Sequence, residues 1–218
     1  MIQFYDSQTL PVSRWRNGGG ETREIISFPP GEQTFSWRIS IATIAADGAF
    51  SLFPGVDRAI TLLSGEGVEL TAAGSFSQLL QQNQPFVFAG EEQIDARLTG
   101  GVSSDFNVMT RRATHQADVR VSSEAFSPAP TAAGVVHVLA GEWVIGDVTI
   151  QQGQGVWWDC QGKTLNPASP DALLLVTEIS PRTEQSELRG LVDVIGPRQE
   201  RQLSPWAKLF APLLSRGL

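Results

Sequence analysis

Histidine, cysteine and tyrosine are scarce here: the 218 residues include two histidines, one cysteine and one tyrosine. A single cysteine, Cys160, excludes an intrachain disulfide and a thiolate metal cluster. It follows Trp157, Trp158 and Asp159, an apolar setting that suits an inert thiol better than a nucleophile. The histidines, His115 and His137, stand far apart with no His-x-His pair, so neither a metal site built on imidazole nor a cofactor is expected. No Gly-x-Ser-x-Gly elbow or Ser-His-Asp arrangement stands out. No apolar run approaches the roughly 18 residues of a membrane-spanning helix. Residues 1–6 lack the basic start and apolar core of a signal peptide, so a cytoplasmic location without a membrane partner is expected. Clustered positive charge is missing too. The net charge is −7, the pI about 4.8, and the arginines fall singly or in pairs. Nucleic-acid binding needs a concentrated basic face and is not expected.

Glycine and proline, by contrast, are abundant at 21 and 13 residues, as in turn-rich all-β chains. Apolar residues recur with a period of two, which marks strands at 37–42, 58–63, 68–71, 85–88, 94–98 and 106–110. The same alternation returns at 135–139, 142–145, 148–150, 155–158 and 173–179, with a loop expected at 161–170. One phrase occurs twice, 76 residues apart: Leu63-Ser64-Gly65-Glu66-Gly67-Val68 and Leu139-Ala140-Gly141-Glu142-Trp143-Val144. A Gly-Glu step between two strands fits a tight hairpin, because glycine takes the positive φ of such turns. A phrase repeated once at this spacing predicts two copies of one β unit rather than a solenoid.

The predicted division is therefore 1–122, a Ser/Pro/Ala-rich linker at 123–133, and 134–218. A short helix or a turn is expected at 185–191. Near the end, Ser204-Pro205 reads as an N-cap followed by proline at the first helical position. Trp206, Leu209, Phe210, Leu213 and Leu214 then share one stripe, with Pro212 kinking or ending the helix. This tail helix is expected either to pack on its own domain or to form a contact with a homodimer mate or another partner.

Three strings carry a family resemblance. They are Trp15-Arg16-Asn17-Gly18-Gly19-Gly20-Glu21-Thr22-Arg23-Glu24; Trp37-Arg38-Ile39-Ser40-Ile41-Ala42 with 47–58 after it; and Asp105-Phe106-Asn107-Val108-Met109-Thr110-Arg111-Arg112. In this order they resemble the HutD/Ves family of bacterial proteins, the stress-induced Ves branch more than the histidine-utilisation branch. The match is dense over roughly the first 115 residues and loose beyond. The resemblance implies an all-β double-stranded β-helix fold, two cupin-like barrels in one chain (a bicupin). It also implies a cytoplasmic location, no established enzymatic activity and a role in holding a small acidic metabolite.

The chemistry left to such a protein lies in its arginines. Arg38 and Ser40 occupy the strand face opposite Trp37, Ile39 and Ile41. Arg58 opens the next strand, and Asn107, Met109 and Arg111 share one face of a third. An inward guanidinium needs an anion, since burying it unpaired costs several kcal/mol. That anion is either an internal carboxylate (Asp57, Glu66 or Asp105) or the carboxylate of a ligand gripped by the planar fork. Asn17-Gly18-Gly19-Gly20 likewise reads as a hairpin turn or as backbone brought close to a ligand. Taken with the resemblance, the expectation is a metal-free pocket for a small organic acid, lined by Asn17, Arg38, Ser40, Arg58, Asn107, Met109 and Arg111. The alternative is a metal-free cupin isomerase or hydrolase using Glu66 or Asp105 as acid or base.

Overall fold

The computed structural model describes residues 1–130 and 132–183. The expected helix or turn at 185–191 and the tail helix from Ser204 lie outside the described residues. Within them every regular element is a strand. In chain order these are β1 (Ile2–Asp6), β2 (Val12–Arg14), β3 (Gly20–Phe28), β4 (Trp37–Ile44), β5 (Gly48–Ala49), β6 (Val56–Ser64), β7 (Val68–Ala72), β8 (Phe76–Leu79) and β9 (Pro85–Ala89). They continue as β10 (Ile94–Leu98), β11 (Ser103–Arg111), β12 (His115–Ser122), β13 (Ala133–Ala140), β14 (Glu142–Ile145), β15 (Val148–Gln151), β16 (Gln154–Trp158), β17 (Asn166–Pro167) and β18 (Leu173–Pro181). Each stretch with clear two-residue alternation is a strand. The expected loop at 161–170 contains only the two-residue β17.

The strands form four sheets. One has six strands, β2-β3-β4-β11-β6-β9, and faces a four-stranded sheet, β5-β10-β7-β8. Ile44, Ile60, Leu62, Val68, Leu70, Phe88 and Ile94 fill the space between these two. A five-stranded sheet, β1-β16-β13-β18-β12, faces a three-stranded one, β15-β14-β17. Trp143, Ile145, Val156, Trp158, Leu165 and Leu174 fill that second sandwich. The two large sheets also pack on each other through Trp37, Ile39, Phe106, Val108, Val135, Trp157 and Leu175. The alternation of β4, β6 and β11 thus serves two cores. Trp37, Ile39, Ala59, Phe106 and Val108 face the neighbouring large sheet, and the residues between them face the first sandwich's interior.

The repeated phrase is a corner and not a hairpin. β6 bonds to β9 and β11 while β7 bonds to β8 and β10, so Gly65 passes the chain from the large sheet to the small one. Gly141 does the same between β13 and β14. Both have positive φ, +108° and +67°. Neither has room for a side chain: a Cβ would lie 2.7 Å from Ser103 Cβ at Gly65 and 2.8 Å from Ala172 Cα at Gly141. The corner explains why the phrase recurs, because each sandwich must fold its chain over once at the same place.

β1 and β12 precede the expected 123–133 linker, yet both bond into the sheet of β13, β16 and β18. The linker's own Phe126 exchanges backbone hydrogen bonds with Leu165 (2.9 and 2.8 Å) and packs against Trp158.

Candidate functional site

The first sandwich is open at one end. A cavity of about 470 Å³ lies there, lined by Asn17, Arg38, Ser40, Arg58, Asn107 and Met109 among others. Six of the seven expected residues therefore converge on one space. Sheet register brings them together: Arg38, Met109 and Arg58 lie abreast on β4, β11 and β6, with Ser40 beside Asn107 one pleat deeper. Arg111 is the exception. It ends β11, where its Nε donates to Phe35 O (3.2 Å) and its guanidinium lies over the Phe35 ring, outside the cavity lining.

Arg58 is 7% exposed. Its hydrogen bonds are long: Nη1 donates to Ser51 O (3.5 Å) and Nη2 to Asn107 Oδ1 (3.4 Å). Its buried Nε has no partner. Instead of a carboxylate, three phenyl rings surround the guanidinium: Phe88, Phe50 and Phe53 at 4.9, 5.3 and 5.4 Å from Cζ. Such cation–π contacts compensate lost water only partly. Burial therefore lowers the Arg58 pKa to about 10, with Arg38 adding to the fall and Asp105 opposing it.

Asp105 is the buried carboxyl of the site, 1% exposed. Asn107 Nδ2 donates to its Oδ1, while Oδ2 has no partner. Burial raises its pKa to about 7, against the pull of the Asn107 hydrogen bond and the Arg58 charge. Of the other internal counter-ions considered, Asp57 accepts from Arg112 Nε (2.6 Å) and Glu66 is exposed. Neither lines the cavity. Arg38, half-buried at the mouth, does have an internal partner: its Nε donates to Glu24 Oε1 (2.8 Å). The two arginines thus divide the two readings, Arg38 having a carboxylate in contact and Arg58 none.

The glycine triplet is a turn between β2 and β3. Gly18 adopts φ +72°, Gly18 N donates to Trp15 O (3.0 Å), and Asn17 Oδ1 accepts from Gly19 N (2.9 Å). A Cβ on Gly20 would lie 2.9 Å from the Trp15 ring and against Thr43 O, so Trp15 itself, not a ligand, occupies the space beside that glycine. Trp15, pinned by Nε1–H to Thr22 Oγ1 (2.8 Å), and Asn17 then reach the cavity wall. Arg14, Arg16, Phe50, Ser51 and Phe53 also line it and were not among the residues expected in the pocket. They lie at strand ends and in connections, where no period marks a facing.

Four arginines and one carboxyl make this cavity cationic in a chain of net charge −7. It suits an anion and does not suit a metal ion. Its lining contains no histidine or cysteine, and its single carboxyl shares the space with four guanidinium groups. Among the described residues no group of three or more His, Cys, Asp and Glu could hold a metal. The lining also offers no second acid or base to work with Asp105. The lone tyrosine does meet a histidine, Tyr5 OH lying 2.9 Å from His137 Nδ1, but this part-buried pair belongs to the five-stranded sheet and does not line the cavity.

A family model described as HutD matches residues 7–175. The chain belongs to the HutD family. Protein Ves of Citrobacter koseri is 45% identical over 180 residues, covering 82% of this chain and 94% of that protein. Among solved structures, HutD from Pseudomonas fluorescens superposes with a TM-score of 0.74 at 28% identity, covering 84% of this chain and 100% of the other. A cupin 2 conserved barrel domain protein from Leptotrichia buccalis shares the fold at 10% identity, with a TM-score of 0.54 over 82% of this chain and 96% of that one. The described residues of this HutD-family chain thus form an all-β, cupin-like fold. No helix among its described residues is long and apolar enough to cross a membrane.

Proposed function

We propose that this HutD-family chain is a cytoplasmic, metal-free bicupin that holds a small organic acid in its first barrel and does not transform it. The observation that carries the reading is Arg58: a buried guanidinium with an unpartnered Nε and no carboxylate in contact, at the wall of an open cavity. A ligand carboxylate would supply the charge-assisted hydrogen bonds the chain withholds. Arg38, Asn17 and Asn107 would orient the rest of the ligand, and Met109 would give an adaptable apolar wall. Catalysis would call for a partner to Asp105, and the lining contributes none. Sensing or sequestering the acid, in histidine breakdown or under stress, is the role that fits.

A thermal-shift screen of urocanate, formylglutamate, glutamate and related acids tests this. A ligand at 100 times its Kd adds about 2.7 kcal/mol of stability. At least one acid is expected to raise Tm, and Arg58→Gln is expected to abolish the rise. Inertness of every acid, or an undiminished rise in Arg58→Gln, would defeat the reading.

A further inference from the structure

We propose that Asp105 is the acid half of recognition: when a carboxylate occupies Arg58, Asp105 takes up a proton from solvent and donates a hydrogen bond from Oδ2 to the bound acid. This rests on the carboxylate-binding reading above and adds a proton to it.

The geometry is a chain of three side chains. Arg58 Nη2 donates to Asn107 Oδ1, and Asn107 Nδ2 donates to Asp105 Oδ1. Both functions of the Asn107 amide are thereby used, and its orientation is fixed by its neighbours. The amide is interposed between guanidinium and carboxyl, which make no direct ion pair. Each end of the chain keeps one buried atom without a partner, Nε of Arg58 and Oδ2 of Asp105. Both residues line the cavity.

The charges around Asp105 come from several elements. β6 contributes Arg58 and β4 contributes Arg38, whose charge is shared with Glu24 of β3. Arg14 and Arg16 stand at the exposed edge. An incoming carboxylate that reaches Arg58 takes the contact Asp105 lacks and adds a second negative charge beside it. Two carboxylates in one poorly solvated site do not both stay ionised, and the one without a guanidinium in contact takes the proton. Asp105 is that one. Its protonated Oδ2 then becomes a donor, which ends its lack of a partner and gives the ligand a short charge-assisted bond. Burial already holds the group near neutrality, so the proton costs little there. The preferred ligand is therefore a carboxylate with a free acceptor oxygen toward Asp105, and uptake of one proton accompanies its binding.

The test is an NMR titration of the full chain with sodium formate as probe. The Arg58 Nε–Hε resonance reports occupancy and the Asp105 carboxyl carbon reports protonation. Formate is expected to move the Arg58 resonance and to raise the Asp105 midpoint by about one pH unit or more. Because the bound form holds the extra proton, affinity should be greatest below the free midpoint of about 7. Above it, affinity should fall about tenfold per pH unit until the bound midpoint is reached. Asp105→Asn should flatten that fall. If Arg58 responds and the Asp105 midpoint stays fixed, the proton coupling is wrong and the carboxylate site survives. If Arg58 responds to neither formate nor acetate, both are wrong. The wild-type titration decides the matter even if Asp105→Asn does not fold.

Discussion

Arg58 and Gly134 hold the same place in two sandwiches built on one plan. Both stand 76 residues apart, the spacing of the repeated corner, and both lie on the strand that leads into it. Arg58 is flanked in register by Phe88 and Met109, and Gly134 by Trp158 and Glu178. Going deeper, Asn107 beside Ile60 corresponds to Val176 beside Val136, and Asp105 beside Leu62 to Leu174 beside Val138. The polar trio of the first sandwich is thus glycine, valine and leucine in the second. A Cβ on Gly134 would lie 2.6 Å from the Trp158 ring, so one indole occupies what a guanidinium and a phenyl share on the other side. Phe126 and Leu165 then cover the Trp158 end. The difference teaches that the plan tolerates an interior packed to its end or one with a cavity there. The second sandwich is packed with apolar side chains, and the first gives up packing and hydrogen-bond satisfaction around Arg58 and Asp105.

The largest effect should come from emptying the filled sandwich. Trp158→Ala removes a ring that is 1% exposed and its Nε1–H bond to Ala132 O. A loss of about 3–5 kcal/mol in urea unfolding is expected. A loss below about 1 kcal/mol would mean this half is not the tightly packed one. Making the cavity end of the first sandwich apolar should do the opposite. The triple variant Arg58→Met/Asp105→Leu/Asn107→Val imports the apolar pattern of the second sandwich. It should gain about 1–4 kcal/mol and lose all response to small acids. A marked loss of stability would show the trio to be structural.

The third contrast lies in pH. Asp105 is raised from 3.8 to about 7 in the folded chain, so the unfolded chain releases its proton first and the fold loses stability as pH rises across that interval. His137, pushed from 6.5 to about 4 by burial, works the other way. Its neutral form stabilises fully above 6.5, and that contribution is lost as pH falls toward about 4. Asp105→Asn should therefore exceed the wild type by about 1–3 kcal/mol at pH 8 and by much less at pH 4. An equal difference at both values would remove Asp105 from the list of buried titrating groups. The smallest effect is expected at the rim. Glu24→Gln breaks the Arg38 pair, whose side chains are 48% and 29% exposed, and should cost about 0–1 kcal/mol by the same unfolding measurement. A larger cost would make Arg38 a structural group rather than one held ready at the mouth.

Most of the site was legible because strands alternate. Arg38 and Ser40 oppose Trp37 and Ile39 in any strand, and Asn107 and Met109 oppose Phe106 and Val108, so the polar face was fixed before any partner strand was known. Asp105 stands on that same face, two residues before Asn107, and could have joined the site on this signal alone. Arg111 obeys the same periodicity yet leaves the cavity, because it ends β11 and finds Phe35 O there. Trp15, Arg16, Phe50 and Phe53 reach the cavity from connections, whose paths are set by distant closure and carry no period. The repeated glycines announced a bend but not its kind. A hairpin and a sheet-to-sheet corner both need positive φ, and only the strand partners distinguish them.

β1 completes the five-stranded sheet by pairing with β16, five residues against five from Ile2↔Trp158 to Asp6↔Gln154. It emerges from the ribosome with its neighbour still unmade. A chain joined so late in its synthesis should fold slowly for its size, because the closing contact spans most of the described sequence. The order of manufacture thus becomes part of the architecture, and a nascent chain released before β16 would have an unclaimed strand to mispair.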